Sequence, residues 1–150
     1  MINPVTNNLE SSQSLENLAK AQVKLQKDVA NISEDTRGYN YNYTSLDKLL
    51  DYVRPLLTKH GFSFIQMPVG NDFSVGVKTL YMHESGEWVS NTISSPIAEL
   101  GGMNTYQSVG SAITYFRRYS LSSFIGIASE KDEDAKGEQI EVRKKPNYDI

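Results

Sequence analysis

The sequence predicts an α+β fold in which an antiparallel three-stranded β-meander is packed with a long helix that follows it, and two helices precede the sheet. Three observations carry the prediction. Apolar residues recur at helical spacing between positions 15 and 32 and again between 46 and 57. After Gly61 the pattern switches to three aromatic and β-branched runs, "FSFIQM", "FSVGVKTLYMH" and "EWVSNTI", separated by the turn segments "PVGND" and "ESG". A final helical period then runs from Val109 to Ile127.

In chain order, residues 1–13 are polar, rich in Asn and Ser, and expected to be disordered. The first helix places Leu15, Leu18, Leu25, Val29 and Ile32 on one seam, with Ser14 as its cap. Gln22 interrupts that seam, so the helix is expected to lean on another element. "SEDTRGYNYNY" has no helical period and alternates Tyr39, Tyr41 and Tyr43, which share one side if the segment is extended. Such a row either stacks bases or covers the second helix as ordinary packing. Thr44 and Asp47 read as a capping box opening that helix. Leu46, Leu49, Leu50, Val53, Leu56 and Leu57 form its buried stripe, Pro55 is expected to kink it, and Gly61 to end it behind Lys59 and His60. The loop "SSPIAELGGMN" leads to a last helix capped by Asn104 or Thr105. Its core face is read as Val109, Ala112 or Ile113, Phe116, Ser120, Phe124 and Ile127. One domain over residues 14–137 follows, with 138–150 a flexible charged tail.

Composition narrows the function classes. The chain of 150 residues has no cysteine, which excludes disulfides and thiolate chemistry and suits a cytoplasmic setting. No apolar run approaches the length of a membrane span, and no basic-then-apolar leader opens the sequence. The formal net charge is −3, unevenly spread: −2 over residues 1–19, about +1 over 20–120, and −2 over 121–150. A near-neutral middle leaves room for a local cationic surface that bulk charge does not reveal.

The stretch "GSAITYFRRYSL", residues 110–121, sets two arginines in an apolar helical run. With Phe116 turned inward, helical spacing places Ser111, Thr114, Tyr115, Arg118 and Ser122 on or beside the solvent side, with Arg117 at its flank. Small residues admit an extended partner close to the backbone, hydroxyls and guanidiniums are common phosphate contacts, and Gln107 and Ser108 occupy the first turn. The competing reading pairs the arginines with acids such as Glu130 or Asp132.

"QSVGSAITYFRRYSLSSFIGIASEKDED" closely resembles the signature of the Erf (essential recombination function) family of phage and bacterial single-strand annealing proteins. Upstream, "YNYTSLDKLLDYVRPLLTKHGF" and "MHESGEW" are similar to further stretches of that family, in order and at compatible spacing over about residues 15–137. The resemblance implies ATP-independent binding of single-stranded DNA, annealing of complementary strands in homologous recombination, and assembly into homo-oligomeric rings or filaments. It also implies a β-β-β-α core like that of the Rad fifty-two type annealing ring, and an exonuclease or single-strand-binding protein as a partner.

The DNA-binding residues expected are Arg117 and Arg118, assisted by Thr114, Ser111 and Gln107, then Arg37, Lys48 and Lys78, with Tyr41 and Tyr43 for stacking. No catalytic residue, metal or cofactor is expected. The sequence has no phosphate-cradling Gly-x-x-x-x-Gly-Lys motif, and no nucleophile elbow surrounds "GSAIT". His60 and His83 are its only histidines, which argues against zinc. Two alternatives remain: a metal-dependent DNA-processing enzyme using Asp132 and Asp134 of "EKDED", and a protein-only scaffold.

Overall fold

The structure, a computed structural model, describes residues 9–30, 36–37, 42–98 and 101–128. Its elements follow the order β1 (Glu10–Ser11), α1 (Glu16–Asp28), β2 (Thr36–Arg37), β3 (Asn42–Tyr43), α2 (Leu46–Lys59), β4 (Phe62–Gly70), β5 (Ser74–His83), β6 (Trp88–Pro96) and α3 (Thr105–Ile125). The α+β class and the meander-then-helix order are those read from the sequence. Two small differences concern strands. β1 adds a fourth, antiparallel strand to give the order β1-β6-β5-β4, and β2 pairs with β3 in a separate two-stranded ribbon. β1 therefore lies in the stretch expected to lack structure: Glu10 sits opposite Ser90 and Ser11 opposite Val89, while the Ser12 amide donates to the Trp88 carbonyl at 2.9 Å. A strand this short has no detectable period; its partner strand defines it. Residues 138–150 lie outside the described residues.

The register gives the sheet two unlike faces. Phe64, Tyr81 and Val89 are opposed across β4, β5 and β6, as are Gln66, Thr79 and Asn91, and then Pro68, Val77 and Ile93. This face carries the buried Val75, Val77, Thr79 and Tyr81 and receives the helices. Alternation sends Ile65, Met67, Lys78, Leu80, Met82 and Trp88 to the other face. There Ile65, Met67 and Val69 are exposed, and Lys78 reaches Glu10 at 3.2 Å.

One main core joins all three helices to the sheet: Leu18, Ala21 and Leu25 from α1, Leu49, Leu50, Val53 and Leu57 from α2, Phe62 and Tyr81 from the strands, and Leu121, Ile125 and Ile127 from the end of α3. Each fully buried aliphatic side chain contributes about 1.5–3 kcal/mol. A smaller cluster of Val75, Val77 and Phe116, with Ile93, Val109, Ala112 and Ile113 against it, lies under the first half of α3. The narrow seam of α1 is thus explained, because the helix packs within its own chain. Gln22, which breaks that seam, donates from Nε2 to the Phe124 carbonyl at 2.7 Å.

Local signals fared unevenly. Leu15, not Ser14, is the N-cap of α1, and it has no side-chain cap bond. The cap comes instead from the β5–β6 turn: Glu87 accepts the Leu18 amide at 2.6 Å, and the side chains of Ser14 and Asn17 at 3.1 Å each. The Leu18 amide, chief among these donors, holds the Glu87 carboxyl below its ordinary range. At the other end of α1, Asp28 accepts from Lys59 at 2.7 Å and contacts His60 at 2.8 Å, which lowers its carboxyl too, Lys59 first. The expected Thr44–Asp47 box does not cap α2: its N-cap is Ser45, without a side-chain cap bond, and Thr44 is fully buried. α2 runs through Pro55 and stops at Gly61, whose φ of 77° supplies the left-handed residue that closes the turn.

Candidate nucleic-acid interface

The site is built on α3. Its N-terminus forms a complete capping box, in which the Gln107 amide donates to Asn104 Oδ1 at 2.9 Å and the Asn104 amide donates to Gln107 Oε1 at 3.0 Å. Gln107 is therefore engaged in closing the helix, a role its position three residues after Asn104 could have signalled. Beyond it, Gly110, Ser111 and Thr114 are exposed along one stripe. Thr114 Oγ1 donates back to the Gly110 carbonyl at 3.2 Å, and Ser111 Oγ contacts Met103 Sδ at 3.8 Å. Tyr106 is 90% exposed at the start of the helix, and Tyr115 is exposed beside the stripe.

The two arginines part company. Arg117 is half-buried at the seam between α3 and β4, where its Nε donates to Gln66 Oε1 at 3.2 Å. Gln66 Nε2 in turn donates to the Arg117 carbonyl at 3.1 Å and to Thr79 Oγ1 at 3.2 Å. Arg118 is only 4% exposed, its Cζ 5.5 Å from the ring centroid of Tyr115 and 5.6 Å from that of Tyr119. The sequence reading put Arg118 and Ser122 on or beside the solvent side; both are buried, and that placement is corrected. The reason is that the last turns of α3 bear on two partners. Ser120 and Phe124 meet the sheet, through a 2.7 Å bond from Tyr81 Oη to the Ser120 carbonyl and a Tyr81–Phe124 stack at 3.7 Å. Leu121 and Ile125 enter the core shared with α1 and α2, and Arg118 precedes them on the same stripe at i, i+3 and i+7. A helix enclosed on two sides has no wide solvent face.

The remaining expected residues do not gather here. Lys78 projects from the opposite face of the sheet, paired with Glu10. Lys48 is half-buried in the first turn of α2. Arg37 and Tyr43 fall on β2 and β3, whose side chains, like Tyr41 as a whole, lie outside the described residues, as do Asp132 and Asp134. Among the described residues no group of three or more His, Cys, Asp or Glu is placed to hold a metal ion, and no helix is long and apolar enough to cross a membrane.

Residues 18–148 match the family model described as the ERF superfamily. The chain belongs to the ERF superfamily. No curated protein matches it. Membership supports a recombination-related role with DNA-related partners, in keeping with the resemblance read from "TYFRRYSL" and its surroundings. In this ERF-superfamily chain that stretch is the second half of α3, and the residue that sequence reasoning missed there is Gln66. Its signal was available: β4 alternates Phe62, Phe64, Gln66 on the inward phase, so a polar side chain faces the helix layer.

Proposed function

We propose that the chain binds single-stranded DNA along α3 through the sugar-phosphate backbone, without ATP, and promotes pairing of complementary strands. The carrying observation is Arg117, a cation held at the α3–β4 seam, one turn beyond the exposed Thr114 and about two turns beyond the exposed Gly110 and Ser111. Small residues let a strand approach the helix, and the guanidinium offers donors to phosphate. Tyr106 and Tyr115 add exposed rings on which bases stack. Arg118 supports this surface from beneath, through Tyr115 and Tyr119. Backbone contacts carry no sequence information, so binding is indifferent to sequence, and annealing breaks and forms no covalent bond.

Few cations per chain suffice if copies line up along one strand, since linked sites act at high effective concentration. The sheet suits such assembly. β1 covers only two residues of β6, and no strand lies beyond β4 among the described residues. Head-to-tail contact between unlike edges covers both and closes into a ring where the rotation permits.

The test is fluorescence anisotropy with three labelled oligonucleotides of unrelated sequence, in magnesium, without ATP, over a range of salt. Equal affinities that fall with salt are expected. Magnesium-dependent loss of the labelled strand would favour a nuclease, and the absence of salt-sensitive binding a protein-only scaffold.

A further inference from the structure

We propose that Gln66 is the positioning residue of the interface: it holds the Arg117 guanidinium in the orientation that meets phosphate. This rests on the proposed function, because it concerns the same cation.

Hydrogen-bond sense fixes which way the Gln66 amide faces. A main-chain carbonyl only accepts, and a guanidinium Nε–H only donates. Gln66 contacts both groups of Arg117, the carbonyl at 3.1 Å and Nε at 3.2 Å. Its NH2 must therefore face the carbonyl and its oxygen the guanidinium, so the amide cannot be turned over without losing both bonds. Thr79, fully buried and directly opposite Gln66 in the register, accepts a further bond from the same NH2 at 3.2 Å. A carboxamide is the side-chain group that supplies donor and acceptor at this spacing. A carboxylate would present an acceptor to the carbonyl, and a thioether would leave both groups unmet.

Because the single Nε–H is taken by Gln66, the guanidinium plane is set relative to the helix. Its Nη groups make no other hydrogen bond among the described residues. They are the donors left for an anion. An arginine that swings on four torsions loses entropy at each phosphate contact, and one already braced loses less.

The experiment is a double-mutant cycle on the full chain, with Gln66→Met (near-isosteric), Arg117→Ala and the double variant. Melting temperature is read beside the anisotropy titrations against salt with oligo-dT. One phosphate contact on a single strand is worth about 0.7 in the log–log salt slope, or roughly five-fold in affinity at 0.1 M salt. Gln66→Met is expected to weaken binding about two- to five-fold and to flatten the slope toward the Arg117→Ala value. In the Arg117→Ala background it should cost nothing further. Should Gln66→Met prove too unstable, Gln66→Glu is the second variant: it sets a negative charge beside Arg117 and should weaken binding more at low salt than at high salt. Full affinity and slope in Gln66→Met, or equal losses with and without Arg117, would overturn the inference while leaving DNA binding intact. A wild-type chain that shows no salt-dependent binding would instead remove the proposed function itself.

Discussion

Replacing the adjacent arginines one at a time should give opposite phenotypes. Arg118 lies 4% exposed within 5.6 Å of two tyrosine centroids. Two cation–π contacts in a largely dehydrated setting are worth about 1 kcal/mol each, so Arg118→Ala should cost about 2 kcal/mol. For a domain of this size that lowers Tm by roughly 6–10 °C. Arg117 is half-buried and makes one side-chain bond, to Gln66, so Arg117→Ala should lower Tm by only a few degrees. Its expected loss is in DNA affinity: about 0.7 in salt slope per protomer and roughly five-fold at 0.1 M salt, the same on every sequence. Circular-dichroism melts and anisotropy titrations on both variants decide the matter. An Arg118→Ala protein that melts like wild type but loses salt slope would refute the division of roles, as would an Arg117→Ala protein with an unchanged slope.

Other expectations concern the scaffold. Leu25 of α1 is fully buried against α2 and α3, so Leu25→Ala should destabilise by about 2–5 kcal/mol in urea titration, whereas an α1 that merely rests on the surface would cost less than about 1. Gly61 has φ of 77°, and an added Cβ would stand 2.7 Å from Glu84 Cδ, so Gly61→Ala should cost about 1–2 kcal/mol by thermal melt. The Glu87 and Asp28 carboxyls are held low in the folded chain, so their contribution is present above the ordinary carboxylate range and lost as pH falls through the folded values. The urea midpoint should therefore drop between about pH 5 and pH 3. Glu87→Gln should start lower at pH 7 and drop less; an identical pH profile would mean that Glu87 does not hold α1.

How far the sequence showed the fold depends on where each element gets its stability. α2 and the three long strands carry their own periods, and Leu49, Leu50, Val53 and Leu57 were legible because one unbroken stripe faces one core. β1 was not, because two residues have no period and their order comes from β6. Local capping chemistry offered Asn104 among two candidate caps of α3 but not its partner Gln107, although both are close in sequence, and it failed at α1, whose cap is Glu87 across the fold. Arg118 was misplaced for a related reason: helical spacing assumes one buried face, and the end of α3 has two, which only the positions of α1 and α2 reveal. Gln66 shows the reverse case, a polar residue on an inward strand phase whose meaning appears only when Arg117 arrives from a helix 51 residues later.

Whether this chain brings complementary strands together is read from the rate of strand pairing itself. A fluorophore-labelled oligonucleotide and its quencher-labelled complement are mixed without ATP at 0.05 and 0.2 M salt, with the wild-type chain, with Arg117→Ala, or with no protein. The wild-type chain is expected to accelerate quenching at the lower salt, to lose much of that effect at the higher, and to depend on Arg117 for it. Pairing no faster with the wild-type chain than with buffer, at either salt, would contradict the proposed function.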